Sequence, residues 1–220
     1  MKGKTPKKSI LVIGMGRFGI GAARKFISLG HEVMVLDKDE ERVRRIADEA
    51  VSARVGDASD PDILKSLDAE EFDLCVVAVG DEVLDAWEIT ATLKELGVAR
   101  VVSRANDETE EKLLLRVGAD AVVFPEREMA EWTAVRYGYD GLINYVAVSD
   151  GYSAYEMRIP EAWNGKRIDE IDVRRRYGVS ILGIRSATMN MNPPHDAVLR
   201  SRDAMLVLGK DEDIRKLMRL

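Results

Sequence analysis

Apolar residues fall in short continuous runs separated by longer amphipathic stretches, and the two kinds alternate along the first part of the chain. Ile10 to Ile13, Glu32 to Leu36, Val51 to Val55, Phe72 to Val79, Arg100 to Ala105 and Ala121 to Phe124 are each about as long as one strand. Between them, Phe18 to Leu29, Asp39 to Glu49, Asp81 to Leu96 and Glu108 to Val117 place apolar residues at helical spacing, and another helix begins near Pro61. Gly30, Gly97 and Gly118 stand where helices stop. Strands apolar on both faces, alternating with amphipathic helices, predict an α/β fold: a Rossmann-like, doubly wound parallel sheet of about six strands.

The alternation ends near residue 126. Glu126 to Tyr137 reads as one more helix, with Met129, Trp132 and Val135 about a turn apart. That stripe is read as core, with a contact between two copies of the chain as the alternative. Tyr137 to Gly141 breaks the helix. Strands then follow at Leu142 to Val148 and Tyr152 to Ile159 around a hairpin turn at Ser149-Asp150-Gly151, and Asn164-Gly165 is a second turn. A charged helix over Asp169 to Tyr177 stops at Gly178; strands at Val179 to Ile184 and Ala204 to Leu208 and a helix over Asp211 to Arg219 complete the chain. The pattern divides the chain into a basic tail (1–8), a Rossmann-like domain (9–126), a crossover helix and hinge (127–141) and a small α+β domain (142–220).

The first strand runs directly into Gly14-Met15-Gly16-Arg17-Phe18-Gly19, the spacing G-x-G-x-x-G. Gly14 permits the tight bend, Gly16 lets a phosphate approach the backbone, and Gly19 lets helix and strand pack closely. A glycine-rich turn can be purely structural, but here a strand precedes it, a helix follows, and a second strand ends on Asp37. Free N–H groups and the helix dipole favour phosphate at that helix start, and Asp37 stands where a ribose acceptor belongs. The same carboxylate disfavours a 2′-phosphate, an inference that neighbouring Lys38 weakens a little. Gly56-Asp57-Ala58 turns at the carboxyl end of the third strand, where ligands of open α/β sheets bind. Asp57 is open to two roles, accepting from an adenine amino group or capping the helix near Pro61. Arg104 and Glu126 fall at or just after carboxyl ends of strands, so they are read either as ligand-edge residues or as solvated charges.

Composition narrows the function further. The 220 residues suffice for one larger and one smaller domain, not for a nucleotide domain plus a full catalytic domain. A net charge of −6 excludes a general basic field for nucleic acid. Met1 to Lys8 has four lysines but lacks the apolar middle of a signal peptide, and reads as a solvated tail. Apolar runs fall far short of the roughly 18–20 residues of a membrane helix, so a soluble, cytosolic protein is expected. Cys75 is the only cysteine and lies within a strand run, which excludes an intramolecular disulfide and a cysteine-based zinc site. An NAD-dependent oxidoreductase would need a general acid or base beside the nicotinamide. The two histidines are poorly placed for that: His31 precedes the second strand and His195 lies in a proline-rich loop. A redox-sensing transcription factor would need a recognition helix that the sequence does not display.

The glycine turn with Arg17, Asp37, Gly56-Asp57-Ala58, Pro125-Glu126 and the segment Arg174 to Ile184 together resemble the regulator of potassium conductance (RCK, or KTN) family, of the TrkA/KtrA type, over about Ser9 to Leu220. The resemblance implies a non-enzymatic regulatory subunit of a Trk/Ktr potassium uptake system. It implies homodimers assembled into a tetrameric or octameric ring, peripheral on the inner face of the cell membrane beneath a TrkH- or KtrB-like channel or transporter, with bound nucleotide altering the ring and the gate. The implied ligands are ATP, ADP, AMP or NAD/NADH. By resemblance, Gly14, Gly16, Arg17 and Gly19 hold phosphates, Asp37 holds the ribose, Asp57 and Ala58 border adenine, and Phe18 and Lys38 also belong to the nucleotide site. Val79, Gly80 and Arg104 complete the expected site. Glu126 is implied near the terminal phosphate and the dimer interface, helping to hold a cation: Mg2+, Ca2+ or a monovalent ion. In some Ktr-type members the C-terminal domain binds cyclic di-AMP, and Ile168 and Arg174 match positions used there. Arg175, where a small residue is commoner, departs from that pattern and would crowd the dinucleotide.

Overall fold

The computed structural model describes residues 6–80 and 83–220; most of the basic tail, and Asp81 at the expected start of one helix, lie outside the described residues. The chain separates into two compact units with the boundary between Arg127 and Glu128.

In the first unit β1 (Ser9–Ile13), α1 (Arg17–Ser28), β2 (Glu32–Asp37), α2 (Glu40–Arg44), β3 (Ser52–Val55), α3 (Pro61–Ser66), β4 (Leu74–Val77), α4 (Val83–Glu95), β5 (Val101–Arg104), α5 (Glu108–Arg116) and β6 (Ala121–Val123) follow one another. The six strands pair in the order β3-β2-β1-β4-β5-β6, all parallel. Order reverses between β1 and β4, which makes the carboxyl end of β1 the topological switch point. Residues of β1 alternate between faces: Leu11 and Ile13 join a core with Leu64, Ile89 and Leu114 of α3, α4 and α5, whereas Ile10 and Val12 join one with Ala23 of α1 and Ile46. Helices on both faces explain why the strand is apolar at every position rather than at every second one.

α2 is shorter than the expected helix over Asp39 to Glu49. After Arg44 the chain continues in turns, with Ile46 N–H donating to Val43 C=O and Glu49 N–H to Ile46 C=O. Arg24 of α1 donates to the Arg45 carbonyl at 3.3 Å and to the Glu49 carboxylate at 2.8 Å, so this segment is fastened to α1. Val43 and Ile46 are buried all the same.

α6 (Pro125–Gly138) begins at the end of the first unit, and none of its described residues is buried. Met129 is 59% exposed; only Val135 of the expected stripe packs against the second unit's core. The reading of Met129 and Trp132 as core of this chain is therefore corrected: Met129 is exposed and Trp132 is half-buried.

The second unit forms an antiparallel sheet from β7 (Leu142–Ser149), β8 (Tyr152–Arg158), β9 (Ser180–Arg185), β10 (Met189–Met191) and β11 (Ala204–Lys210), in the order β10-β9-β11-β8-β7. Its helices are α7 (Ile168–Ile171), α8 (Val173–Tyr177) and α9 (Asp211–Leu217). The expected single helix over Asp169 to Tyr177 is broken at Asp172, whose φ of 50° and ψ of 53° are left-handed. In a continuous helix residues two apart point to nearly opposite sides; the break lets both Ile171 and Val173 enter the core. β10 carries no sequence signal of a strand because all three of its residues are exposed.

Candidate functional site

The glycine turn lies at the switch point, and packing fixes two of its three glycines. Gly14 has φ of +94°, and a Cβ there would lie 2.8 Å from the Val79 nitrogen. A Cβ on Gly19 would lie 1.8 Å from the Gly14 carbonyl oxygen, which no side chain can survive. Gly16, by contrast, would bring its Cβ within 4 Å of no atom among the described residues. It faces open space at the start of α1. The helices α2, α3 and α5 are capped by the side chains of Asp39, Asp60 and Asp107. α1 starts at Gly16, which has no side chain to cap with, and its first turn carries no acid, so N–H groups and dipole are left for an anion.

Asp37, 6% exposed, accepts from Met15 N–H at 2.5 Å through one carboxylate oxygen and from Asp39 N–H at 2.8 Å through the other. It thereby joins the glycine turn to the start of α2. Two in-plane acceptor sites remain on the carboxylate after those bonds, enough for a ribose hydroxyl. Asp57 accepts from Ser59 N–H at 3.0 Å, and it is Asp60, not Asp57, that caps α3 by accepting from Asp62 N–H at 2.9 Å. The capping role considered for Asp57 thus belongs three residues later.

A cleft with about 620 Å³ of empty space, partly open to solvent, runs along this edge; Gly14, Gly16, Asp37, Lys38, Asp57, Ala58, Val79, Gly80 and Arg104 all line it. Lys38 lies 3.5 Å from Asp85. A Cβ on Gly80 would meet Arg104 Nη1 at 2.6 Å, so a larger residue there would displace the guanidinium. Arg104 donates to Glu126 at 2.8 Å, while its Nε is buried and has no hydrogen-bond partner among the described residues. Beyond Gly16 a second space, of about 1040 Å³, is lined by Arg17, Phe18, Arg42, Arg45, Arg104 and Glu126. Gly16, Arg42 and Arg104 border both spaces.

The site residues expected from sequence in the first unit are therefore brought together at one sheet edge. Ile168 and Arg174 are elsewhere, on a solvent-open pocket of about 360 Å³ within the second unit that His195 also lines. Arg175, expected to crowd a ligand there, is not among the residues lining it. His31 accepts from Lys8 N–H at 3.3 Å, at the opposite, amino end of the strands. Arg42 and Arg45 were not singled out by sequence reasoning: their only signal is a place just after the acid that ends β2, on a helix whose charges otherwise read as solvated. Glu126 is one carboxylate among guanidinium groups, and no cluster of three or more acidic, histidine or cysteine residues suited to a metal occurs among the described residues. These neighbours alone do not form a cation site. Among the described residues no helix is long and apolar enough to cross a membrane.

Fold and cleft define a protein of the doubly wound class, with a solvent-open cleft at its switch point and a small α+β unit appended. The chain belongs to the TrkA family: residues 10–125 match the TrkA-N domain and residues 154–220 the TrkA-C domain. It is 34% identical to Ktr system potassium uptake protein C of Bacillus subtilis (strain 168), covering 96% of each chain. Ktr system potassium uptake protein A of the same organism is 30% identical, over 97% of each. Among solved structures, the crystal structure of the GsuK RCK domain superposes with a TM-score of 0.69 at 20% identity, over 98% of this chain. This chain spans about half (48%) of that solved chain.

Proposed function

We propose that this chain is a cytosolic regulatory subunit of a Ktr/Trk-type potassium uptake system, gated by an adenine nucleotide. The nucleotide seats in the switch-point cleft, with phosphates at the start of α1, ribose at Asp37 and adenine beside Asp57 and Ala58. Occupancy changes the shape of a homodimer-based ring and so the flux through a TrkH- or KtrB-like membrane subunit. The observation that carries this reading is the buried Asp37 carboxylate, which holds the glycine turn open-side outward, in a chain matched end to end by Ktr potassium uptake proteins. Related solved structures are a GsuK channel bound to NAD and GsuK bound to ADP, which supports adenine nucleotides as the ligand class. The full-length relatives favour this role over an NAD-dependent oxidoreductase, and neither histidine lines the cleft.

Glu126 is the proposed link to assembly. A carboxylate beside a polyphosphate is repelled unless a cation lies between them. Mg2+, Ca2+ or a monovalent ion would take ligands from Glu126, from phosphate oxygens and from a second subunit. The test is calorimetric titration of the purified chain with ATP, ADP, AMP, NAD and NADH, with the assembly's mass measured in each state. Binding of one nucleotide per chain with a change in mass or shape is the expected result. Absence of binding by all five sinks the proposal.

A further inference from the structure

We propose that Arg42 and Arg45, carried on and just after α2, form a wall that reads the length of a phosphate chain, so that the site grades its ligands by the phosphates beyond the first. For the adenosine part this rests on the nucleotide reading above; the wall itself needs only polyphosphate chemistry. Four guanidinium groups, those of Arg17, Arg42, Arg45 and Arg104, line the outer space together with one carboxylate, Glu126; Glu126 pairs with Arg104, and Arg42 pairs with Asp39 outside that lining. Like charges gathered round one cavity repel one another, and a polyanion between them adds an attraction to each that outweighs that repulsion. Arginine suits this role because its planar fork meets phosphate oxygens two at a time and stays charged.

The wall is held in place at both ends. Asp39 N–H is fastened to Asp37, the residue that also holds the glycine turn. At the other end the Arg45 carbonyl is held by Arg24 of α1, itself paired with Glu49. Arg42, 3.5 Å from Asp39, borders both spaces, whereas Arg45 borders only the outer one. The first phosphate sits at Gly16, where the two spaces meet, so Arg45 faces groups further along the chain.

The experiment titrates the full chain with ATP, AMP and inorganic tripolyphosphate by calorimetry, at one fixed salt concentration. The variants are Arg45→Ala, Arg45→Gln and, as control, Arg44→Ala, whose guanidinium pairs with Glu40 at 2.6 Å and does not line the space. Arg45→Ala and Arg45→Gln should each weaken ATP and tripolyphosphate about tenfold and AMP less than about twofold, the size expected for one charge-assisted hydrogen bond. Arg44→Ala should change none of the three by more than about twofold, as for a surface charge. Equal weakening of AMP and ATP, or an equal effect of Arg44→Ala, overturns the inference. If the parent binds tripolyphosphate with this Arg45 dependence but no adenine nucleotide, the wall stands and the nucleotide reading fails. If it binds neither, both fail.

Discussion

At Asp37 the two carboxylate oxygens each accept a backbone N–H, from Met15 on one side and Asp39 on the other, in a nearly closed setting. Removing them leaves two donors without their acceptor, and an unsatisfied buried donor costs about 1–3 kcal/mol. Asp37→Ala should therefore lower the unfolding free energy by roughly 2 kcal/mol or more in urea titration. It should also lose about 1.5–3 kcal/mol of nucleotide binding, measured well below its melting temperature. Unchanged affinity in that variant would remove Asp37 from the ligand. Cys75 is the opposite case, a buried thiol that donates to the Ala69 carbonyl at 4.0 Å and whose titration is set by burial. Burial pushes its thiol from an ordinary value of 9.0 up to about 12, so the fold favours the neutral form and the thiolate is scarce at neutral pH. Its contribution to stability is complete below pH 9 and declines as pH rises towards 12. A maleimide should leave Cys75 unmodified at neutral pH in the folded chain and label it in denaturant; rapid labelling of the folded chain would contradict the burial. The sequence marked Asp37 through its distance from a glycine motif, a signal tied to backbone geometry. It marked Arg42 and Arg45 in no such way, because which charges of a short helix face a cavity is decided by how Arg24 and Asp37 anchor that helix.

The strand–turn–helix formed by β1 and α1 depends on contacts closer than any side chain allows. A Cβ on Gly19 would collide with the Gly14 carbonyl, so Gly19→Ala should cost about 3 kcal/mol or more and shift the urea midpoint down. Gly21, two residues along the same helix, would bring its Cβ within 4 Å of nothing among the described residues. Gly21→Ala should stabilise by about 0.5–1 kcal/mol through helix propensity. If both variants shift the midpoint alike, the close approach of α1 to the turn is wrong. Elements of this kind were legible because period and glycine placement are local: every strand of the parallel sheet falls on its apolar run, with β1 and β2 each reaching one residue beyond it. Breaks imposed by tertiary packing were not. Nothing local at Asp172 announces a left-handed residue, yet the core takes both Ile171 and Val173. The early end of α2 likewise follows from a hydrogen bond out of another helix.

Across the molecule, Met129 and Tyr137 of α6 are 59% and 72% exposed and are not used by this chain's own core, whereas Val135 packs against it. On the homo-oligomer proposed above, that face is expected to meet a second copy of the chain. Met129→Asp should then lower the mass found by sedimentation while leaving the melting temperature of the residual monomer within a few degrees of the parent. An unchanged mass would place the subunit contact elsewhere. A ligand can shift such an assembly only by its difference in affinity between arrangements, so the proposed function predicts that changes at the cleft alter nucleotide binding, assembly and gating together. The central claim is tested most directly by potassium flux into liposomes carrying the membrane subunit, with the purified chain and nucleotide added on its side. The account predicts flux that depends on nucleotide with the parent chain, on nucleotide plus cation through Glu126, and on neither with Asp37→Ala at the same concentrations. Flux that depends on the chain but is identical with and without every adenine nucleotide would contradict it.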